Sequence, residues 1–400
     1  MGLLAILILV VFVIINAYAQ IPTSSDFLKF YSSVKFLFEG KSIYTPLALD
    51  TIPNDIPFDL ELITFPIGPN LNPPFQTLLF SPFGFVSYSA AYLIWSFLTV
   101  ITGLLSVYLI FNAYREELRS SHVFELSIVF LLFFPTVLTI ILGQFSVLLL
   151  FLFTIAWVSA RKGRDRISGF TLGIALSLKI FTGLFIPVFL IQRRWKLLVW
   201  YLGTFFLCNL LSIFLVGSDE HLKYLRTISS ITWYSSSWNP SLMGFATRIF
   251  GGSENIPIIN APAVGIILYS LVSLFLILIL FWLTKVQQDE AISGFDLIYC
   301  LTIVCILIIS PLGWIYYYVL MILPLVFAWT NIKGIGENKS RWLLISAWIL
   351  FSIPHLRIQG KDLIPIDIFT WAGYPLYGQI LFLLSLILIF QRSRNRSPRT

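Results

Sequence analysis

Apolar residues run along this chain in long blocks separated by short polar stretches, with blocks near 3–19, 86–111, 123–142, 145–160, 167–179, 180–192, 197–216, 263–284, 292–309, 314–330, 342–354 and 376–390. A bilayer core needs roughly 20 apolar residues of helix, because backbone polar groups find no water there and must bond within the segment. The pattern therefore predicts an all-α polytopic membrane protein, a helical bundle with about 12 transmembrane or re-entrant helices and long outer loops. One stretch differs. In Ser24–Tyr44, Phe27, Phe30, Tyr31, Val34, Leu37 and Phe38 recur at i, i+3, i+4 spacing, with Gly40 as the stop. This reads as an amphipathic helix resting on the membrane surface. Asp26 falls in its first turn, where the helix dipole favours a carboxylate and Ser24 or Ser25 can cap. Two readings of Asp26 are open at this point, a dipole-matched cap and a general base at the membrane–water boundary.

Composition supports the class: 58% of residues are hydrophobic and 11% charged, against about 25% charged in a soluble domain. The net charge of +7 follows the loops rather than forming a nucleic-acid stripe. Most Lys and Arg lie in one set of connections, among them Arg115, Arg119, Arg161–Arg166, Arg193–Lys196 and the tail 391–400. The positive-inside rule then places both termini in the cytoplasm, in a multi-pass cell-membrane protein, with the loops 20–72, 217–262 and 355–375 outside. Domain organisation is one integral membrane domain over 1–400, with a first outer loop (20–72), a second (217–262) and a basic cytoplasmic tail (391–400). Gly2–Ala19 ends like a signal peptide but lacks a basic start, so it reads as a retained helix. Cys208, Cys300 and Cys305 sit inside apolar runs and the three histidines are scattered, so neither disulfides nor a metal are expected. No P-loop, G-x-G-x-x-G or H-E-x-x-H pattern occurs, and no cofactor is expected.

The segment 167–192 breaks the simple count, because both flanks are strongly basic. It is expected to turn back on itself, each arm reaching only part-way across the bilayer, with Lys179 at the turn. A lysine there either meets an anion in a water-filled cleft or snorkels to the surface. Gly143-Gln144 marks a tight outer turn. Asn239-Pro240-Ser241-Leu242 precedes Arg248 beside Trp233, Tyr234 and Trp238, which suits sugar stacking and phosphate pairing and equally suits an interfacial aromatic belt. Ser310–Trp314 leads into Tyr316, Tyr317 and Tyr318 and opens a helix whose free N–H groups favour an anion. Asp59-Leu60-Glu61 is a carboxylate pair able to hold a cation.

Taken in order, these stretches resemble glycosyltransferase family 87, membrane transferases of the GT-C fold that use polyprenyl-phosphate sugars and include phosphatidylinositol-mannoside mannosyltransferases and arabinofuranosyltransferases. The resemblance rests on Asp26 with F-L-K-F-Y and E-G-K-S-I-Y after it, N-P-P-F-Q-T-L-L-F-S-P-F at 72–83, G-Q-F-S-V-L-L-L at 143–150, G-F-T-L-G-I-A-L-S-L-K at 169–179, N-P-S-L before Arg248, and S-P-L-G-W at 310–314. It implies transfer of a mannose-like or arabinofuranose-like sugar from a polyprenyl-phosphate donor to a glycolipid or glycan acceptor at the outer face, among membrane lipids and without nucleic acid. Asp26 would be the base. Lys179, Arg248, Asn239, Ser241, Trp314, Tyr316, Tyr317 and Gln144 would bind the donor phosphate and substrate. Two departures stand out: Tyr316, Tyr317 and Tyr318 occupy a segment where the family commonly has histidines, and Pro240 stands where it often has Gln. A transporter or flippase is the alternative, since short paired helices with a lysine occur there too.

Overall fold

The computed structural model describes residues 2–19, 25–47, 68–287, 292–332, 337–355 and 365–396. Its helices are, in chain order, α1 (Gly2–Ala19), α2 (Ser25–Phe38), α3 (Pro74–Phe80), α4 (Tyr88–Ala113), α5 (His122–Leu132), α6 (Phe134–Leu142), α7 (Ser146–Arg161), α8 (Asp165–Leu178) and α9 (Phe185–Ile191). The second half holds α10 (Trp195–Val216), α11 (Ser218–Ser229), α12 (Leu242–Phe250), α13 (Pro262–Val286), α14 (Ile292–Ile309), α15 (Ile322–Asn331), α16 (Glu337–Ser352), α17 (Pro365–Phe369) and α18 (Tyr374–Arg396). No strand occurs among the described residues. The apolar blocks became helices close to their expected bounds. Among the described residues four helices are long and apolar enough to cross a membrane, α4, α10, α13 and the stretch that includes α18, or five if α5 and α6 count as one bent span. Length and composition thus support four or five spans among the described residues rather than the expected 12 or so transmembrane or re-entrant helices, the other apolar helices being too short to span alone.

Those interruptions have local causes. Pro135 enters the first turn of α6 without an N–H to donate, Phe133 is extended (ψ 120°), and the α5–α6 pair bends by 56°. Lys179 is likewise extended (φ −147°, ψ 110°), ending α8 before a 3-10 turn over Ile180–Leu184. The break expected at Lys179 is therefore present.

The chain divides into two compact units. The first comprises Met1–Leu109, Ser120–Thr182 and Lys196–Ile231. In it α1 packs on α5 and α6, and α7 lies along α8. Gly169 and Gly173, one turn apart, let α8 approach α10 closely: a Cβ there would stand 2.3 Å from the Leu197 carbonyl and 2.5 Å from Thr204 Cβ. Small residues at such spacing allow backbones to touch where lipid offers no hydrophobic drive.

The placement of α2 corrects an expectation. It does not rest on a surface. Phe27, Leu28, Tyr31, Ser32 and Val34 are fully buried, and Ser33 is nearly so. Of the polar residues that suggested a wet face, Ser32 and Ser33 lie in the interior, and Ser33 Oγ donates to the Ile43 carbonyl and accepts from Asn70 Nδ2. Hydroxyls that small find backbone partners in the interior, so they do not require water. Around α2 an aromatic cage closes, with Phe27 5.5, 5.3 and 5.0 Å from Phe80, Tyr88 and Tyr92, and Phe30 5.1 Å from Phe145.

The second unit comprises Ile110–Arg119, Gly183–Trp195 and Thr232–Thr400. Here α14 is buried along most of its length, α16 packs on α18, and α12 packs on α13. The outward residues of α13, among them Ile267, Leu271, Phe275 and Leu278, are exposed and apolar, as a lipid-facing helix requires.

Candidate functional site

In the first unit the chemistry gathers at the start of α2. Asp26 Oδ1 accepts from Lys29 Nζ at 2.8 Å, one helical turn along, and Oδ2 accepts from Gln144 Nε2 at 2.7 Å. Gln144 is brought there by a turn of unusual backbone. Gly143 ends α6 in the left-handed region (φ 68°), and its carbonyl is held by Trp95 Nε1 at 2.9 Å. The Gln144 N–H returns to the Thr139 carbonyl at 2.8 Å. A Cβ on Gly143 would lie 2.7 Å from Phe27 Cβ, so the glycine lets this turn press against the residue next to Asp26. The turn that the sequence suggested at Gly143-Gln144 thus presents a side chain to the carboxylate. Gln144 Oε1 is buried without a partner among the described residues.

Burial raises the Asp26 carboxyl, but the charge and hydrogen bond of Lys29, the hydrogen bond of Gln144 and the field of Lys179 outweigh it and hold the group below its ordinary value of 3.8. Asp26 is thus an anion at neutral pH. Its pKa being lowered on folding, this pairing stabilises the fold above pH 3.8 and the contribution is lost as pH falls through the lower, folded value. Lys29 was not singled out from the sequence, although an acid and a base three residues apart on a helix are the signal that would have found it.

Farther along α2, the amides of Asn70, Asn72 and Gln76 form a buried chain. Ser33 has its proton committed to Ile43, so it accepts from Asn70 Nδ2, which also donates to Gln76 Oε1 at 3.1 Å. Asn70 Oδ1 accepts from the Asn72 backbone N–H and from Asn72 Nδ2. These directions leave Gln76 Nε2 as a donor and Asn72 Oδ1 as an acceptor, both buried and unpartnered among the described residues. The sequence drew attention to this N-P-P-F-Q segment, but not to its amides as a network.

In the second unit, Asn239 is fully engaged. Its Nδ2 donates to the Tyr234 and Pro311 carbonyls, both at 2.8 Å, and its Oδ1 accepts from the N–H groups of Gly313 (3.0 Å) and Ser241 (3.4 Å). Ser241 caps α12 by accepting from the Gly244 N–H at 3.1 Å. Arg248 is fully buried, with Nη1 on the Ser236 and Asn239 carbonyls and Nη2 on that of Ala372. Its Nε–H has no partner among the described residues. Asn239, Ser241 and Arg248 thus come together, with their side chains directed mainly at backbone. Trp314 is half-buried and stacks at 6.4 Å on Tyr316, which lies edge-on to Tyr317 at 4.8 Å. The segment after Trp314 is a 3-10 helix, Ile315–Met321, whose first N–H is taken by the Trp238 carbonyl at 3.2 Å. His355, not picked out from the sequence, is buried in this unit and stacks on Trp371. The Asp59–Glu61 pair lies outside the described residues.

Among the described residues no group of three or more His, Cys, Asp or Glu could hold a metal ion. No individual curated protein matches the chain. The model of glycosyltransferase family 87 matches residues 70–311, more than half of it. Gln144, Lys179, Asn239, Ser241 and Arg248 fall inside that stretch, whereas Asp26, Trp314, Tyr316 and Tyr317 fall outside. A match over this length, in a helical protein with membrane-capable helices, shows that the chain belongs to glycosyltransferase family 87 and is a glycosyltransferase.

Proposed function

We propose that this transferase moves a mannose-like or arabinofuranose-like sugar from a polyprenyl-phosphate donor to a glycolipid or glycan acceptor at the outer face of the membrane, with Asp26 as general base. The observation that carries the reading is the Asp26 carboxylate, kept ionised and oriented by Lys29 and Gln144. In the step, an acceptor hydroxyl oxygen bonds to the anomeric carbon and its proton passes to Asp26. The bond from that carbon to the phosphate oxygen breaks, and its electron pair leaves with the polyprenyl phosphate. A depressed pKa makes a weak base, which suffices because phosphate is itself a stable leaving anion and the proton moves only as the new bond forms. Lys179, whose field reaches Asp26, would steady the charge that develops on the phosphate. Gln144 Oε1 would accept from a substrate hydroxyl, and the open donor and acceptor of Gln76 and Asn72 match hydroxyls, which both give and take hydrogen bonds. Asn239, Ser241 and Arg248 would shape the loop that carries Trp314, with Tyr316 and Tyr317 as further substrate contacts, Trp314 as a stacking surface and the Arg248 Nε–H as a spare donor. The test is direct: membranes holding the purified protein, incubated with radiolabelled polyprenyl-phosphate sugars, should pass label to lipid or glycan. No transfer from any such donor would overturn the reading.

Two further results are expected. Replacing Lys29 by Met removes the charge that lowers the Asp26 pKa and leaves burial, which raises it. The acid limb of the rate profile, below pH 3.8 in the wild type, should move up. A limb that does not move would remove Asp26 from the titration. For Lys179, a cysteine at that position should react with an impermeant thiol reagent from outside while cysteines at Lys162 and Lys196 stay protected. Lys179→Met should weaken donor binding more than Lys179→Arg, and equal affinities would leave Lys179 a snorkelling residue.

A further inference from the structure

The span α10 ends in a lipid-type surface, with Phe214 and Leu215 77% and 63% exposed. The chain turns at Gly217 (φ 110°) and continues as α11. This helix is amphipathic in two senses. Its inner edge is a clasp: Glu220 is buried, accepts from Ser42 Oγ at 2.9 Å and the Ile43 N–H at 3.0 Å, and pairs with Lys223 at 2.7 Å, while Tyr224 packs on Ile43 and Tyr44. Its outer edge carries Leu222 and Leu225, 55% and 60% exposed and one turn apart. Two leucines left bare directly beyond a membrane span belong in the acyl boundary of the bilayer, as on an interfacial helix.

Between these edges lies the second observation. Lys223 and Arg226, also one turn apart, line a hollow of about 310 Å³ together with Ser42, Thr45 and Thr227. Both cations are exposed, and Glu220 neutralises only Lys223. Arg226 has no acidic partner among the described residues; of the hydroxyls around it, those of Ser42 and Thr45 donate to Glu220 and to the Ser42 carbonyl, which leaves Thr227 to donate beside the guanidinium. A guanidinium beside a hydroxyl donor, on a helix whose outer edge is leucine, is complementary to a phosphate diester carried on acyl chains. We propose that this hollow binds the headgroup of an anionic glycerophospholipid from the surrounding bilayer, its chains lying along Leu222, Leu225 and the exposed end of α10. The hollow shares no lining residue with Asp26, Lys29, Gln144 or Lys179, and it does not depend on which sugar is moved. By fixing α11, and through Glu220 the chain after α2, a bound lipid would anchor the first unit to the membrane surface.

The full-length protein, delipidated in mild detergent and titrated with phosphatidylglycerol or phosphatidylcholine, is to be read by native mass spectrometry. The wild type should hold one phosphatidylglycerol more tightly than phosphatidylcholine. Arg226→Gln should weaken that adduct about fivefold, the worth of one basic residue at an anionic surface, with phosphatidylcholine binding unchanged. Because Arg226 makes no contact that holds the clasp, its variant should keep the wild-type melting temperature. Leu222→Asn with Leu225→Asn should weaken both lipids, the apolar contact being common to them. Equal phosphatidylglycerol affinity in wild type and Arg226→Gln would overturn the proposal. So would displacement of the lipid by millimolar inorganic phosphate, or a polyprenyl phosphate that outcompetes phosphatidylglycerol.

Discussion

Asp26→Asn is expected to abolish sugar transfer while the protein still folds. The change keeps the volume of the side chain and its place at the start of α2, but an amide cannot take the acceptor proton. General-base catalysis is worth roughly 10²–10⁴-fold, and the loss should fall in that range or beyond, because Gln144 Nε2 would then face an amide whose orientation it no longer dictates. Lys29 would lose its carboxylate, yet it is 20% exposed and can turn toward water. Asp26→Glu keeps the charge and moves it by about 1 Å, a displacement that can cost on the order of 100-fold. Label transfer from polyprenyl-phosphate sugars in reconstituted membranes, normalised to folded protein, separates these outcomes. Near-normal turnover of Asp26→Asn would end the assignment of Asp26 as the base.

Gly143→Ala is expected to lower both the stability and the activity of the protein. The backbone at this position is left-handed (φ 68°), where a Cβ costs about 1–2 kcal/mol. The added carbon would also lie 2.7 Å from Phe27 Cβ and 2.8 Å from its Cδ2. Phe27 cannot yield, since it is fully buried and ringed by Phe80, Tyr88 and Tyr92. Overpacking of that kind adds about 1–3 kcal/mol. Relief can come only by moving the Gly143-Gln144 turn away from α2, which lengthens the bond from Gln144 to Asp26. Thermal unfolding in detergent should show the destabilisation, and transfer by the fraction still folded should fall as well. A variant that melts like the wild type would show that the turn is looser than its contacts imply. Unchanged turnover despite a lower melting temperature would separate Gln144 from the chemistry.

Much of the architecture was legible along the chain, and for one reason. In lipid the backbone must satisfy its own hydrogen bonds, so an apolar run is a helix almost regardless of its neighbours. That is why α1, α4, α7, α10, α13 and α14 lie close to the bounds expected of them. The helix over Ser25–Phe38, its end near Gly40, the break at Lys179 and the turn at Gly143 were readable too, since glycine, charge and periodicity act locally. The motif order that resembles family 87 was likewise visible, and the matched stretch, 70–311, lies within it. Tertiary structure alone decided which face of each helix meets what. Periodicity marks α2 as amphipathic, but whether Ser33 meets water or the Ile43 carbonyl depends on a segment ten residues away. The same pattern in α11 does leave leucines bare, because Glu220 and Tyr224 occupy its other side. The contact between Asp26 and Gln144 joins residues 118 positions apart; no local rule brings them together, only the close approach that Gly143 permits at Phe27. Asn239 and Arg248, which their types alone offered for ligand, are engaged by carbonyls at Pro311 and Ala372. A residue's type states which hydrogen bonds it can make, and distant backbone, brought near by packing, determines which of them remain available.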